Sequence, residues 1–237
     1  MPPDPLETAE SLLFAVRREE DPTPHLERLA TLDPDRLDRG LATRAAKTAF
    51  WLDVYNAVAQ HALREDPSLF EPRFGIVRPV FRRSLVSVAG HDLSLDDVEH
   101  GLLRGSKLGW GLGYLPDPFP DAFERRFRVS SADPRIHFAL NCGAASCPPI
   151  AVYAAEEVDE QLDLATESYL ETEASYDAGA NLVRAPRLML WYRGDFGGRR
   201  GIREFLRRYD VIPEDRRPRI RYQAYDWSLD LGRFGEL

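Results

Sequence analysis

The sequence predicts an α+β single domain in which helices pack around a small, mainly antiparallel sheet. The chain has 237 residues, which is enough for one sizeable hydrophobic core. Residues 43–64 contain neither Gly nor Pro and form the longest helical pattern of the chain. Short alternating runs at Val77–Val80, Leu85–Val88 and 181–192, with a later run from Arg219, indicate strands separated by turns. An α/β layered fold is the alternative.

The N-terminal part is predicted to be a helical extension, and residues 43–237 to be the single domain. Within residues 1–42, apolar residues at helical spacing predict two short helices separated by Pro-rich turns. Their apolar positions are Leu6, Leu12, Leu13 and Val16 in the first helix, and Leu26, Leu29 and Ala30 in the second. Two further helices are predicted, at Glu156–Tyr169 and Gly201–Tyr209.

Composition excludes several classes of protein. The formal net charge of −8 argues against broad nucleic-acid binding. The chain contains no run of about 18 apolar residues, so no membrane-spanning helix is predicted. The first residues lack the basic start and apolar core of a secretory signal, so we expect a cytoplasmic protein. The glycine-rich loop after residue 105 is not a nucleotide-binding fingerprint, and we expect no cofactor.

The helix at 43–64 carries a polar stripe on an otherwise apolar surface. Thr43 is its expected N-cap. Asp53, Asn56 and Gln60 are spaced by three and four residues, so they share one face. Buried polar groups must be satisfied. The stripe therefore either hydrogen-bonds buried backbone or lines a functional pocket.

A second helical segment, at residues 94–104, begins with a capping-box pattern from Ser94 to Asp97. Asp97, His100 and Arg104 are expected to stack on one face of this helix. His100 is then either an exposed, salt-bridged histidine or a general base or anion-binding group.

The segment from Asp133 to Pro149 holds both cysteines of the chain, together with His137. Alternation of Ile136, Phe138 and Leu140 predicts a strand that ends at Asn141-Cys142, before a turn at Gly143. A strand that presents a thiol at a turn is one way to display a reactive group. On a straight strand His137 would lie roughly 16 Å from Cys142.

Several sequence motifs of the chain, taken together, resemble those of the domain of unknown function 547 family. They are Phe50–Ala57, Leu93–Arg104, Asp133–Cys142, Ser146–Pro148, Trp191-Tyr192 with Asp195-Phe196, and Tyr225–Leu229. The resemblance extends from about Ala49 to the C-terminus. The family usually has asparagine where this chain has Asp53 and Asp230. The resemblance implies a bacterial-type soluble domain and does not by itself imply a reaction.

The first functional hypothesis is a thiol-dependent hydrolase or acyl transferase. Cys142 is the candidate nucleophile, and His137 or His100 the candidate base. Asn56, Asp53 or Asn141 is the candidate orienting residue. The candidate substrate-binding residues are Arg104, Arg135, Asp53, Gln60 and Tyr55. The substrate is expected to be a small molecule or a peptide.

Two other hypotheses remain open from the sequence. In one, the polar Cys/His/Asn cluster only braces the core of a non-catalytic binding or structural domain. In the other, the cysteines form a redox-switched pair, or His100, His137, Cys142 and Cys147 bind a metal ion. The Cys-x4-Cys spacing is looser than a zinc knuckle and the chain has no second cysteine pair, which counts against the metal hypothesis.

Overall fold

Helices make up most of the regular structure in a computed structural model of the chain, in which residues 4–73 and 77–235 are described. The α-helices are α1 (Pro5–Arg17), α2 (Thr23–Ala30), α3 (Pro34–Gly40), α4 (Arg44–Glu65), α5 (Pro79–Arg82), α6 (Ala122–Phe127), α7 (Val158–Glu173), α8 (Leu188–Trp191) and α9 (Gly198–Arg208). Two 3₁₀ turns lie at Pro67–Phe70 and Pro134–Phe138, and a π-helical segment at Asp97–Leu103. Within the described ranges, no helix is long and apolar enough to cross a membrane.

The strands form two small sheets in the part of the chain that is described. They are β1 (Val86–Val88), β2 (His91–Leu93), β3 (Ser175–Asp177), β4 (Leu182–Ala185) and β5 (Arg219–Tyr222). β1 and β2 are antiparallel, with Val86 opposite Leu93. The second sheet has the order β3-β4-β5, in which β3 and β4 are antiparallel and β4 and β5 parallel. The prediction of an α+β single domain with a mainly antiparallel sheet is confirmed.

The first and larger of two hydrophobic cores surrounds α4. The side chain of Thr43 accepts a hydrogen bond from the amide of Ala46 at 3.0 Å, which confirms the predicted N-cap. From Ala49 to Gln60 every residue of the helix is buried, as expected for a helix that is apolar nearly all round. The two predicted N-terminal helices are present as α1 and α2, and α1 packs directly on α4.

A second core covers the three-stranded sheet with α8 and α9, and Tyr225 packs against both cores. The segment at 134–147 runs between them. Phe138 belongs to the second core, whereas Leu140 and Cys147 belong to the first. The cysteine-containing segment is therefore held from two sides.

Three predicted strands are wrong. The run at Ile136–Leu140 begins instead as the 3₁₀ turn Pro134–Phe138, because Asp133 caps the amide of Arg135 and Pro134 occupies the first helical position. Val77–Val80 and 188–192 overlap α5 and α8. The periodicity of a short apolar run does not distinguish a helical turn from a strand.

Gly143 provides a test of how tightly the cysteine loop is built. Its φ is +89°, and a Cβ atom there would lie 2.6 Å from Leu63 Cδ1. We expect Gly143→Ala to lower the free energy of unfolding by about 2 kcal/mol or more, from backbone strain and overpacking together. The measurement is urea denaturation. The matched control is Gly179→Ala, where the nearest atom is 3.5 Å away and the effect should stay within about 0.5 kcal/mol. Equal effects at both positions would contradict a strained, close-packed loop.

Candidate functional site

The polar stripe of α4 holds the backbone of the cysteine loop. Asn56 Nδ2 donates to the carbonyl of Ala139 at 3.0 Å, and Asn56 Oδ1 accepts from the amide of Asn141 at 2.9 Å. Gln60 Nε2 donates to Asn141 Oδ1 at 3.2 Å, and Asp53 accepts from the amide of Tyr153 at 3.0 Å. Of the two alternatives for this stripe, the structure shows hydrogen bonds to buried backbone. A catalytic or substrate-binding role for these residues stays a prediction.

Asn141 continues this network into the loop itself. Its side chain donates to the carbonyl of Pro148 at 2.7 Å and accepts from the amide of Gly143 at 2.8 Å. Its side-chain oxygen also accepts from Gln60, and its backbone amide donates to Asn56. Asn141 therefore fixes the turn on which Cys142 and Cys147 face each other.

The two cysteines form a close thiol pair. Their Sγ atoms lie 3.1 Å apart, and both thiols are free. Cys147 Sγ also accepts from the backbone amide of Cys142 at 3.2 Å, and lies 3.2 Å from the hydroxyl of Tyr225. These donors converge on one sulfur.

This convergence separates the pKa values of the two thiols. Burial opposes ionisation of Cys147, but the hydrogen bonds from Cys142 and Tyr225 outweigh it and lower its pKa to about 7. The interaction with Cys147, together with burial, raises the pKa of Cys142 well above its ordinary value. The negative charge of the pair therefore rests on Cys147.

His137 is bound to a carboxylate that the sequence analysis did not propose as a site residue. His137 Nε2 lies 3.0 Å from Asp195 Oδ2, and its ring stacks on Tyr192 with centroids 3.7 Å apart. A carboxylate only accepts, so the proton of a neutral His137 lies on Nε2 and leaves Nδ1 as the basic nitrogen. Asp195 appeared in the sequence only within the family-like phrase Asp195-Phe196, which was the one available signal.

Arg104 links this pair to His100. Arg104 Nε donates to Asp195 Oδ2 at 2.7 Å, and Arg104 Nη1 donates to His100 Nδ1 at 2.8 Å. The side chain of Arg104 has no exposed surface, so its positive charge is compensated by Asp195 and not by solvent. The predicted contact between His100 and Arg104 is present. The predicted stacking of Asp97 on His100 is wrong, because Asp97 accepts from the amide and hydroxyl of Ser94 in the capping box.

Both cysteines and His137 line the same internal cavity of about 70 Å³. Tyr55 and Glu99 also line it, and its other walls are mostly aromatic. The shape of the segment explains this proximity: because the chain coils at residues 134–138 instead of extending, the 16 Å separation of a straight strand does not apply. His100 lies outside this cavity, on an adjoining cleft.

The adjoining cleft has a volume of about 460 Å³ and shares Glu99 with the inner cavity. The aromatic residues common to both are Phe81, Trp191, Tyr192 and Trp227. One wall of the cleft is the loop that carries Trp110 and Leu112. This loop is tied to the Asp195 segment, since the amide of Gly194 donates to the carbonyl of Leu112 at 2.7 Å.

Arg135, a further predicted substrate-binding residue, is engaged elsewhere. Its guanidinium forms ion pairs with Asp133 at 2.7 Å, Asp159 at 2.6 Å and Asp163 at 3.1 Å. Tyr55, by contrast, lines the inner cavity, and its hydroxyl lies 3.4 Å from Glu99 Oε2. Substrate-binding roles for Arg104, Arg135 and Tyr55 stay predictions.

The four candidate metal ligands do not form a metal centre. Among the described residues, no group of three or more His, Cys, Asp or Glu side chains is arranged to hold a metal ion. His100 and His137 are instead held by Arg104 and Asp195, and the two sulfurs contact each other.

Comparison with family models tests the resemblance that the sequence motifs indicate. The family model described as "Protein of unknown function, DUF547" matches residues 39–170, more than half of the chain. The chain belongs to the DUF547 family. No curated protein and no solved structure matches it. The DUF547 match includes Glu99, His137 and both cysteines, and it ends before Asp195.

Burial of His137 gives a prediction for the pH dependence of stability. Burial lowers the pKa of His137 below 6.5, despite the opposing effect of Asp195, and burial lowers the pKa of His100 in the same direction. As pH falls through 6.5, the unfolded chain binds protons before the folded chain does. The free energy of unfolding should therefore be highest above pH 6.5 and decrease toward pH 5, by at most about 1.4 kcal/mol per pH unit for each histidine.

The test variant is His137→Gln, compared with wild type. Urea denaturation at several pH values should give a shallower pH slope for His137→Gln than for wild type. An unchanged slope in His137→Gln would mean that this histidine does not titrate between the two states as its burial requires.

Proposed function

We propose that this DUF547 domain is a thiol-dependent enzyme, a hydrolase or acyl transferase, with its reactive centre at the Cys142–Cys147 pair. The observation that carries the proposal is that both thiols line one small cavity together with His137, which is hydrogen-bonded to Asp195. A thiol, a histidine and a carboxylate that orients it are the components of nucleophilic thiol catalysis. The cytoplasmic location expected from the sequence would keep both thiols reduced.

In the proposed mechanism, Cys147 supplies the thiolate. Its pKa of about 7 makes a substantial fraction of the thiolate available at neutral pH. Cys142, the nucleophile expected from the sequence, donates its amide to this sulfur and lies more exposed beside it. The thiolate attacks the acyl carbon, the bond from that carbon to the leaving group breaks, and a thioester to Cys147 remains. The leaving group departs with the bonding electron pair and takes a proton from water.

His137 then acts in the second step. Its Nδ1, left basic by the Nε2–Asp195 hydrogen bond, takes a proton from the incoming water or acceptor as that group attacks the thioester. The carbon–sulfur bond breaks, Cys147 leaves as the thiolate, and His137 releases the proton to solvent. Because the pKa of His137 is lowered by burial, the neutral base is the resting form. The neighbouring cleft of about 460 Å³ has the size of small-molecule sites. A small molecule or a peptide side chain fits this volume.

Alkylation and acylation together test this proposal. In wild type, the rate of reaction with iodoacetamide should rise with a midpoint near pH 7. Cys147→Ala should abolish the fast phase, and Cys142→Ala should move its midpoint upward by about one pH unit, because a hydrogen bond to the thiolate is lost. The chain has two cysteines, so the double variant is a thiol-free blank.

The acylation arm uses p-nitrophenyl acetate as the probe. We expect a stoichiometric burst of p-nitrophenol that requires Cys147, and turnover after the burst that is about 100-fold or more slower in His137→Gln. An inert Cys147 with no burst would contradict an enzyme. It would favour the alternative in which the Cys/His/Asn cluster only braces the core.

The separation of 3.1 Å between the sulfurs favours a second candidate function, a redox-switched pair. With glutathione disulfide as oxidant, the thiolate of Cys147 attacks one sulfur and releases a glutathione thiolate. Cys142, on losing its proton, then attacks the mixed disulfide and releases a second glutathione thiolate. The pair is oxidised to a disulfide, and glutathione disulfide is reduced to two thiols.

Mass spectrometry after glutathione disulfide treatment tests this candidate. Wild type should lose two hydrogens and both alkylation sites without retaining glutathione. Cys142→Ser should stop at the mixed disulfide and retain one glutathione. If wild type keeps a stable glutathione adduct, or keeps both thiols alkylatable, the two sulfurs do not form a switch.

A further inference from the structure

Glu99 stands at the boundary between the inner cavity and the outer cleft, and lines both. The residue is 7% exposed. Its Oε2 lies 3.4 Å from the Tyr55 hydroxyl, and its Oε1 is buried with no hydrogen-bond partner among the described residues. Burial opposes ionisation of Glu99, but the neighbouring His100, His137 and Arg104, together with a hydrogen bond from Tyr192, lower its pKa, so it is a carboxylate at neutral pH. A buried carboxylate oxygen without a donor is costly and calls for one.

The nearest basic groups do not supply that donor. His100 Nδ1 lies 3.6 Å from Glu99 Oε1, but this nitrogen accepts from Arg104 Nη1, so its lone pair is already used and it carries no proton. The proton of His100 is on Nε2, which lies 3.7 Å from Asp96 Oδ1. Arg104 itself is bound to Asp195 and His100. The hydroxyls of Tyr55 and Tyr192 also hydrogen-bond to Glu99. A carboxylate accepts about four hydrogen bonds, so Glu99 can still accept a donor from the cleft.

The charges and rings of the outer cleft specify the kind of donor. Its charged lining residues are two carboxylates, Asp96 and Glu99, and neither lysine nor arginine belongs to the described lining. Burial and the charge of Glu99 raise the pKa of Asp96 to about 7, against the opposing effect of Arg82 at 3.7 Å. Two neighbouring carboxylates that share a partly buried site favour a cation between them.

The walls of the cleft are suited to the same ligand. Four aromatic side chains, Phe81, Trp191, Tyr192 and Trp227, line it together with Trp110 at its exposed loop. Aromatic faces attract organic cations and cover alkyl chains, and tryptophan does so most strongly. Trp110 has 69% of its surface exposed, so its ring is accessible to a ligand in the cleft.

We propose that this cleft binds the alkylammonium group of a substrate, with its nitrogen at Glu99 and its chain against the aromatic rings. That the bound ammonium is a substrate rests on the proposed thiol chemistry, which the site can supply because Glu99 also lines the cavity of the cysteines. The binding of the ammonium does not depend on the thiol chemistry. A primary amine bound there stands beside the thiol pair, either as the acyl acceptor or as part of the acyl donor.

The test compares n-butylammonium with its neutral analogue 1-butanol. Three of the four tryptophans line the cleft, so intrinsic fluorescence reports occupation. At pH 7.5, n-butylammonium should give a saturable change and bind at least 10-fold more tightly than 1-butanol. Glu99→Gln should lose that preference, while the control Glu204→Gln, at an exposed glutamate outside this cleft, should keep it.

Equal affinity of wild type for the ammonium and the alcohol would overturn the inference, and so would an unchanged preference in folded Glu99→Gln. Circular dichroism establishes whether Glu99→Gln is folded. If it is not, the comparison of the two ligands on wild type decides alone.

The same titration on the Cys142→Ser/Cys147→Ser variant separates the two proposals. This variant should bind n-butylammonium as wild type does. Ammonium binding without a thiol burst in wild type would leave the cation site and remove the thiol enzyme. A burst without ammonium preference would do the reverse.

Discussion

The side chain of Asn56 makes the pair of hydrogen bonds on which the rest of the site depends. One amide group on the central helix donates to residue 139 and accepts from residue 141, so it fixes the backbone on both sides of Leu140. Its position is set by the burial of α4, which leaves this helix little freedom to shift. Because Asn141 then holds Gly143 and Pro148, the orientation of both cysteines follows from one buried amide.

A second constraint is the placement of the one cation buried in this part of the described structure. Arg104 has no exposed side-chain surface and forms a charge-assisted hydrogen bond with Asp195. Removing either partner would leave an uncompensated buried charge, which costs about 3–5 kcal/mol. The pair therefore keeps Asp195 ionised, consistent with its lowered pKa, and an ionised Asp195 fixes the tautomer of His137. The hydrogen bonds of Arg104 go to Asp195 and His100, whereas Glu99 receives only the electrostatic effect of its charge.

The sequence was sufficient where one short-range pattern determines the structure. Helix α4, its Thr43 cap and the Ser94–Asp97 capping box follow from local spacing, and all three are present. It was insufficient where the environment decides. Ile136–Leu140 alternates like a strand, yet a capping Asp133 and burial on all sides make it a helical turn. This error also separated His137 from the cysteines in the expected geometry, although the three residues lie on one cavity.

Asp195 marks the other limit of sequence reasoning. It lies 58 residues from His137, and no local pattern connects two side chains at that separation. Glu99 was similarly hidden, since a glutamate within an acidic helix start is normally solvated. Only the close approach of α4, the π-helical segment and the loop after α8 brings these groups together.

The two departures from the family's usual sequence can be explained by the same physical chemistry. Asp53 stands where asparagine is usual, but burial raises the pKa of its carboxyl well above the ordinary value. A protonated carboxyl has no charge and matches an amide in shape, and Asp53 Oδ1 still accepts from the amide of Tyr153. Asp230, the second departure, donates its backbone amide to the carbonyl of Gly143 at 2.8 Å, an interaction that any residue other than proline permits. Burial therefore disfavours a charge at Asp53 while its contact to Tyr153 is kept, and the contact of residue 230 to the cysteine loop depends on the backbone alone.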